Sequence, residues 1–341
     1  SRPSPCGRPA SRSSPSAEAM LCSSRRTFGA CRRACGISAA VLAAVLAETV
    51  PRLRLRQRRG CQATVCRALR RSGPRAGVGL ESSAETFQSL AREGFARVAG
   101  AIPVEASSTL LGLLWEDYGQ RFGVSRTDPA GWSTSKGQDM RLYGPVPQVV
   151  AESPHYETLT SRLQALGDGV FGSGCWRLRR KATMFVNCPS QGKVWAMPTG
   201  WHTDVLVEPE ALMPAFVYAF AFLDCAEPLG GNTLLLAGST RRLGLMNQAV
   251  RRGGQLLKEA LAEEDERFAR LFALPEDKHV SESPPGPTRC EAAAAELMNQ
   301  SIMSEGIPMR VVELTGRPAD LLFWDPRSLH AASCNVSSRP R

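Results

Sequence analysis

From Cys175 onward the chain becomes a series of short extended runs separated by glycine and proline, and this constrains the fold more than any other feature. Leu178–Asn187, a stretch around Gly200–Asp204, Ala215–Leu223, Thr233–Ala237, Pro308–Leu314, Asp320–Trp324 and Leu329–Ala332 each have strand length. Ala215–Leu223 (AFVYAFAFL) is unbroken apolar sequence with aromatics and reads as a central, buried strand. Ahead of this region the period is helical. Phe87, Leu90, Ala91 and Phe95 recur at helical spacing, Gly94–Val98 reads as a short strand, and a helix starts at Pro103 and runs through Leu110, Leu114 and Tyr118. A further helix spans about 155–166, and residues 125–150 read as a long polar loop over a pocket. Residues 240–308 read as a helical insertion, in which Glu263-Glu264-Asp265-Glu266 forms a solvated helix face. Many short strands after a helical start favour a mainly β protein with some α, a double-sheet jelly roll, over a doubly wound sheet. Neither a G-x-G-x-x-G opening nor a phosphate-binding G-x-x-x-x-G-K-[ST] is present.

Within that pattern Gly200-Trp201-His202-Thr203-Asp204 carries the chemistry. Residues i and i+2 of a strand point to one face, so His202 and Asp204 would converge. His330 lies far downstream in a second extended run. Two imidazoles and a carboxylate form the facial triad of non-haem Fe(II) oxygenases, which leaves coordination positions open. The chain has four histidines, and two of them stand at these positions. His155 reads as a surface or capping residue, and His279, beside Asp277 and Lys278, is given no ligand role.

The net charge of +10 belongs to one end of the chain. Residues 1–78 hold sixteen arginines, no lysine and only Glu18 and Glu48 as acids, a balance of +14, so the remainder is net acidic by four. Nucleic-acid binding by the body is therefore not expected, because no basic stripe with interleaved aromatics occurs there. The Arg-, Ser- and Ala-rich, acid-poor composition of 1–78 is that of a disordered organellar presequence, with Met20 read as the start. Ile37–Ala47 has the length of a signal core and is too short to span a bilayer comfortably. A plastid and a mitochondrion both fit; the alternative is a cytoplasmic protein with a basic tail. Of eleven cysteines, six fall in the leader, and no Cys-x-x-Cys occurs. The five in the body read as buried thiols in a reducing compartment, not as a zinc or disulfide framework.

Residues from about 86 to the end resemble the phytanoyl-CoA dioxygenase family of Fe(II)/2-oxoglutarate oxygenases. The resemblance rests on Gly94-Phe95 with Ala101-Ile102-Pro103, Thr183–Pro189, Gly200–Asp204, Gly230-Gly231-Asn232-Thr233 through Gly238-Ser239, and Asp320–Asp325 followed by His330 and Asn335, in that order. Thr240 stands where the family usually has His. The resemblance implies a double-stranded β-helix (jelly roll, cupin-like) core over residues 79–341, with N-terminal helices and the helical insertion. It implies His202, Asp204 and His330 as ligands of Fe(II), with 2-oxoglutarate and O2 as co-substrates and ascorbate as an optional reductant. Asp204 argues against a halogenase, in which the carboxylate is lost.

The far carboxylate of 2-oxoglutarate needs a cation, and the fork of an arginine suits it. By the resemblance this is Arg341, the last residue, with Arg339 as the fallback; a strand ending at its key residue implies a truncated C-terminus. Met184, Phe220, Thr233 and Arg141 follow as co-substrate contacts, with Ser333 as a substitute because Ala332 stands where the family often has Ser. Trp132, Arg141, Tyr143, Trp195 and Met197 are expected to ring the pocket. The implied activity is hydroxylation of a small organic or lipid-like molecule, without nucleic acid or a stable membrane span, and the oligomeric state stays open. Two rivals stand beside it: a cupin-type metal dioxygenase that does not use 2-oxoglutarate, and a catalytically silent jelly-roll binding module.

Overall fold

A computed structural model describes residues 41–42, 83–132, 141–179, 182–190, 195, 197–198, 200–204, 216–246, 253–272 and 295–340. They belong to one unit, Gly36–Arg341. The strands are β1 (Val41–Leu42), β2 (Phe95–Val98), β3 (Arg141–Pro145), β4 (Thr183–Asn187), β5 (Tyr218–Phe222), β6 (Thr233–Ala237), β7 (Ile302–Ser304), β8 (Ile307–Glu313), β9 (Leu321–Trp324) and β10 (His330–Ala332). The helices are α1 (Ser83–Glu93), α2 (Val104–Phe122), α3 (Gln148–Ala151), α4 (Pro154–Phe171), α5 (Ser239–Leu245), α6 (Gly253–Glu264) and α7 (Glu266–Phe272). A six-stranded sheet runs β2-β9-β5-β1-β4-β3 and a four-stranded one β10-β6-β8-β7. Every pairing between these strands is antiparallel.

Period-2 alternation explains how the sheets are covered. On β5, Ala219 and Ala221 enter one buried cluster while Phe220 and Phe222 enter another; on β9, Leu321 and Phe323 separate from Leu322 and Trp324 in the same way. The first set packs under Leu90 of α1, Leu110 and Leu114 of α2 and Leu159 and Leu163 of α4. The second meets Leu235 and Ala237 of the small sheet, so the two sheets pack face to face. Leu234 and Leu236 point the other way, onto Leu257 and Leu261 of α6 and Phe268 and Leu271 of α7. Leu110 and Leu159 are fully buried; removing each from water stabilises by about 1.5–3 kcal/mol. α2 stops at Gly123, whose left-handed φ of 66° lets its N–H reach back to Gly119 O at 3.0 Å.

Four expectations need correction. The region 125–150 is not one loop, because Arg141–Pro145 pairs residue for residue with Asn187–Thr183 of β4. The acidic run 263–266 is not one solvated helix face. Asp265 breaks the helix, its carboxylate accepts from Arg267 N at 2.8 Å, and Glu264 pairs with the buried Arg242 and with Ser304. Of the two readings of His155, surface or cap, the cap fails: His155 is half-buried in the first turn of α4 and Ser153 is the cap, with its hydroxyl accepting from His155 N at 3.3 Å. Within residues 1–78, Val41–Leu42 is a strand held between β4 and β5; the other residues of 1–78, and His279, lie outside the described residues. No described helix is long and apolar enough to cross a membrane.

Candidate metal centre

His202 and His330 oppose one another across an isolated antiparallel bridge. Each backbone N–H donates to the other residue's carbonyl at 2.9 Å. Directly opposed residues project to the same side, and the two imidazoles stand with centroids 4.3 Å apart. Asp204 N donates to Pro326 O at 3.0 Å, which brings the segment two residues beyond His202 against the approach to β10. The side chains meet: His202 Nε2 lies 3.4 Å from Asp204 Oδ1, and His330 Nε2 lies 3.5 Å from Asp204 Oδ2. Bridge geometry thus does the work that a regular strand was expected to do.

Both rings are oriented by the same local device. His202 Nδ1 lies 2.6 Å from Gly200 O, and His330 Nδ1 lies 2.9 Å from Ser328 O, each carbonyl two residues upstream. A carbonyl only accepts, so each Nδ1 carries the proton and each Nε2 presents its lone pair when the ring is neutral. The hydrogen bond to Asp204 raises the pKa of His202 above its ordinary 6.5, against the opposing effect of burial. Burial works to raise the Asp204 pKa, but hydrogen bonds from His202 and His330 prevail and hold the carboxyl well below the usual range.

The neighbours are as specific as the triad. Tyr218 Oη donates to Asp204 Oδ2 at 2.9 Å, and burial followed by the Asp204 charge pushes its phenol pKa up. Trp324 stacks on Tyr218 at 4.8 Å between centroids and sets its ring against His330 at 4.5 Å, near perpendicular at 76°. The inserted helix α6 braces the other side. Lys258 Nζ donates to Trp201 O at 3.1 Å. A Cβ on Gly254 would stand 2.9 Å from Thr203 Oγ1 and 3.2 Å from Thr203 N, so glycine is needed for that approach.

These residues fit a divalent ion. The buried Nε2 of His330 makes only a long contact, 3.5 Å to Asp204 Oδ2, and a metal would satisfy it better. Adjacent ligands at right angles, each about 2.1 Å from one ion, lie about 3 Å apart, close to the 3.4 and 3.5 Å found here. Among the described residues this is the only group of three or more His, Cys, Asp or Glu side chains able to hold a metal, and it contains no thiolate. Imidazole with carboxylate suits Fe(II) and its neighbours in the first transition row.

The co-substrate residues are less well gathered. Phe220 lies on the inner face, between Phe185 at 6.5 Å and Trp324 at 5.9 Å. Thr233 is buried on β6 opposite Ala332, on the strand face shared with Leu235. Met184 is a correction: it enters the helix-side core, and the inward residue of β4 is Phe185. Arg339 pairs its guanidinium with Glu227 at the turn before β6. Arg341 lies outside the described residues. Arg141 is paired on β3 opposite Asn187, with only its backbone described. Ser333 is committed to Asn232 O at 2.8 Å. Of the expected pocket ring, exposed Tyr143 lies over Phe185 at 4.6 Å. Trp132 instead joins the helix-side core, and Trp195 and Met197 pack behind the small sheet. Sequence reading missed Tyr218, Trp324, Lys258 and Gly254; the only signal for Tyr218 was its place two residues before Phe220 on an inward-facing register.

No protein-family model and no curated protein sequence matches the chain. Among solved structures it is similar to AviO1 from Streptomyces viridochromogenes Tue57, at 17% identity and a TM-score of 0.42 over 78% of this chain and 93% of that one. It is also similar to HygX from Streptomyces hygroscopicus with nickel and 2-oxoglutarate bound, at 15% identity and 0.41 over 75% and 82%. The epimerase SnoN in complex with Fe3+, alpha ketoglutarate and nogalamycin RO is 17% identical at 0.41 over 76% and 80%. Likeness at this level carries no activity over to this chain.

Proposed function

We propose that the protein is a non-haem Fe(II)- and 2-oxoglutarate-dependent oxygenase with a double-stranded β-helix core, hydroxylating a small organic or lipid-like molecule. The observation that carries this is the convergence of the His202 and His330 Nε2 atoms and the Asp204 carboxylate at one point, with both Nδ1 protons committed to backbone carbonyls. His202, Asp204 and His330 would hold Fe(II), which with 2-oxoglutarate and O2 supplies the oxidising power for C–H hydroxylation. The chain's own part is to present the ligands, to hold the rings through Gly200 O and Ser328 O, and to exclude water. The inward face of Phe185, Phe220, Phe222, Leu235, Leu322 and Trp324 offers the dry wall such chemistry needs. The motif resemblance to the phytanoyl-CoA dioxygenase family supports this reading, and the Arg-rich, acid-poor leader supports an organellar address.

One observation favours a second reading. Arg339 is committed to Glu227, which leaves Arg341 as the anchor for 2-oxoglutarate; without it, a metal dioxygenase that does not use 2-oxoglutarate is the alternative. Aerobic incubation of the full chain with Fe(II) and 2-oxoglutarate separates the two. Succinate release supports the first reading. Tight Fe(II) binding with no succinate over a broad substrate panel would overturn it in favour of the second.

A further inference from the structure

Asp204 is the member of the triad with the least backbone support. The two histidines are held by reciprocal backbone hydrogen bonds and by carbonyls on their Nδ1 atoms. The Asp204 backbone is tied through N to Pro326 O at 3.0 Å, and its side chain is 20% exposed. What fixes the plane of the carboxylate is then a question of side-chain partners. Two of the three are the imidazoles, at 3.4 and 3.5 Å, which a metal would draw to itself. The third is Tyr218 Oη at 2.9 Å, a neutral donor that keeps its partner whether or not metal is present.

Tyr218 is itself held rigidly. It opens β5 and sits opposite Trp324 of β9 in the antiparallel register. Its ring stacks on Trp324 at 4.8 Å and meets Phe216 at 5.4 Å, 78° to its plane. Trp324 then touches His330, so a single stack links the carboxylate to the distal imidazole. We infer that Tyr218 is a positioning residue, whose phenol holds the Asp204 carboxylate in its ligating plane before any metal arrives. The inference rests on the triad being a metal centre. Partners of this kind, which orient a ligand, typically carry a 10–100-fold effect on metal affinity.

The test is a Co(II) titration of the full chain, followed by visible absorption. Tyr218→Phe keeps the ring and removes only the hydroxyl; it is expected to bind Co(II) about 10–100-fold more weakly, with an altered ligand-field band. Phe216→Leu disturbs the same packing but leaves the hydroxyl, and its Co(II) affinity is expected to stay within about twofold of the unaltered chain, well inside the effect of losing an orienting partner. The inference is overturned if Tyr218→Phe matches the unaltered chain in affinity and band. It is also overturned if Phe216→Leu costs as much as Tyr218→Phe, because packing would then be the cause. Absence of Co(II) binding by the unaltered chain would overturn the metal-centre reading and the inference with it.

Discussion

The two faces of the large sheet share every strand, yet they are built from different residues. The helix-covered face presents Met184, Val186, Ala219, Ala221, Leu321 and Phe323, mostly aliphatic, closed under Leu90, Leu110 and Leu159. The inner face presents Phe185, Phe220, Phe222 and Trp324 and leads to a hydroxyl, a carboxylate and two imidazoles. Aliphatic side chains interdigitate to crystal-like density and hold the fold. Flat rings instead set walls at defined angles and bring polar tips to a point. Along one strand, then, alternate residues serve stability and chemistry, and the same class of substitution should have opposite consequences on the two faces.

The largest effect is expected at the polar end of the inner face. Asp204→Ala should abolish measurable metal binding, as read by anaerobic Fe(II) titration, while leaving the apo fold intact, because the carboxylate is partly exposed. Leu159→Ala on the other face should do the reverse, lowering unfolding free energy by about 2–5 kcal/mol in denaturant titration with Fe(II) affinity of the folded protein unchanged. Gly254→Val tests the brace between α6 and the His202–Asp204 segment. A Cβ there meets Thr203 within 3.2 Å, so an overpacking cost of about 1–3 kcal/mol is expected together with weaker metal binding. Retained affinity would show that α6 does not position the triad.

A smaller effect separates the two faces by pH. In the metal-free protein the depressed Asp204 pKa contributes stability that is present above its ordinary 3.8 and lost as pH falls below it. The raised His202 pKa contributes stability that is full below its ordinary 6.5 and lost as pH rises through the folded value. Metal competes with the His202 proton, so Fe(II) affinity should rise over the range in which that apo contribution falls. Melting temperatures with and without Fe(II), taken from pH 5 to 8, should therefore diverge upward; a metal-induced shift that is flat across this range would contradict the geometry. The Leu159 core should show no such dependence, because burial raises the pKa of its Tyr118 and Cys188 and keeps both neutral over this range.

What could be read in the sequence follows the same division. The i, i+2 spacing of His202 and Asp204, with His330 downstream, pointed to the cluster because each residue type is rare and chemically demanding. The strands from β4 onward were legible as short apolar runs between glycines, except β7, which lies within the stretch read as a helical insertion. β3 was not, since Leu142 is half-buried and Tyr143 exposed in a stretch rich in glycine and proline, and only pairing with β4 makes it a strand. Met184 was misplaced by a single residue, which in a strand is enough to exchange faces. Tyr218 escaped notice because an apolar run hides which of its members carries a useful hydroxyl; its role depends on a register with Trp324 that no local pattern encodes. The end of α6 at Asp265 was hidden within an acidic run that looked uniform, although one of its acids caps the next helix.

The most direct measurement is anaerobic addition of Fe(II) and then 2-oxoglutarate to the full chain, watched by visible absorption. The account predicts one Fe(II) per chain, bound through His202, Asp204 and His330, and then a metal-to-ligand charge-transfer band that Asp204→Ala eliminates. Iron bound without such a band would contradict the use of 2-oxoglutarate, and no iron bound at all would contradict the metal centre itself.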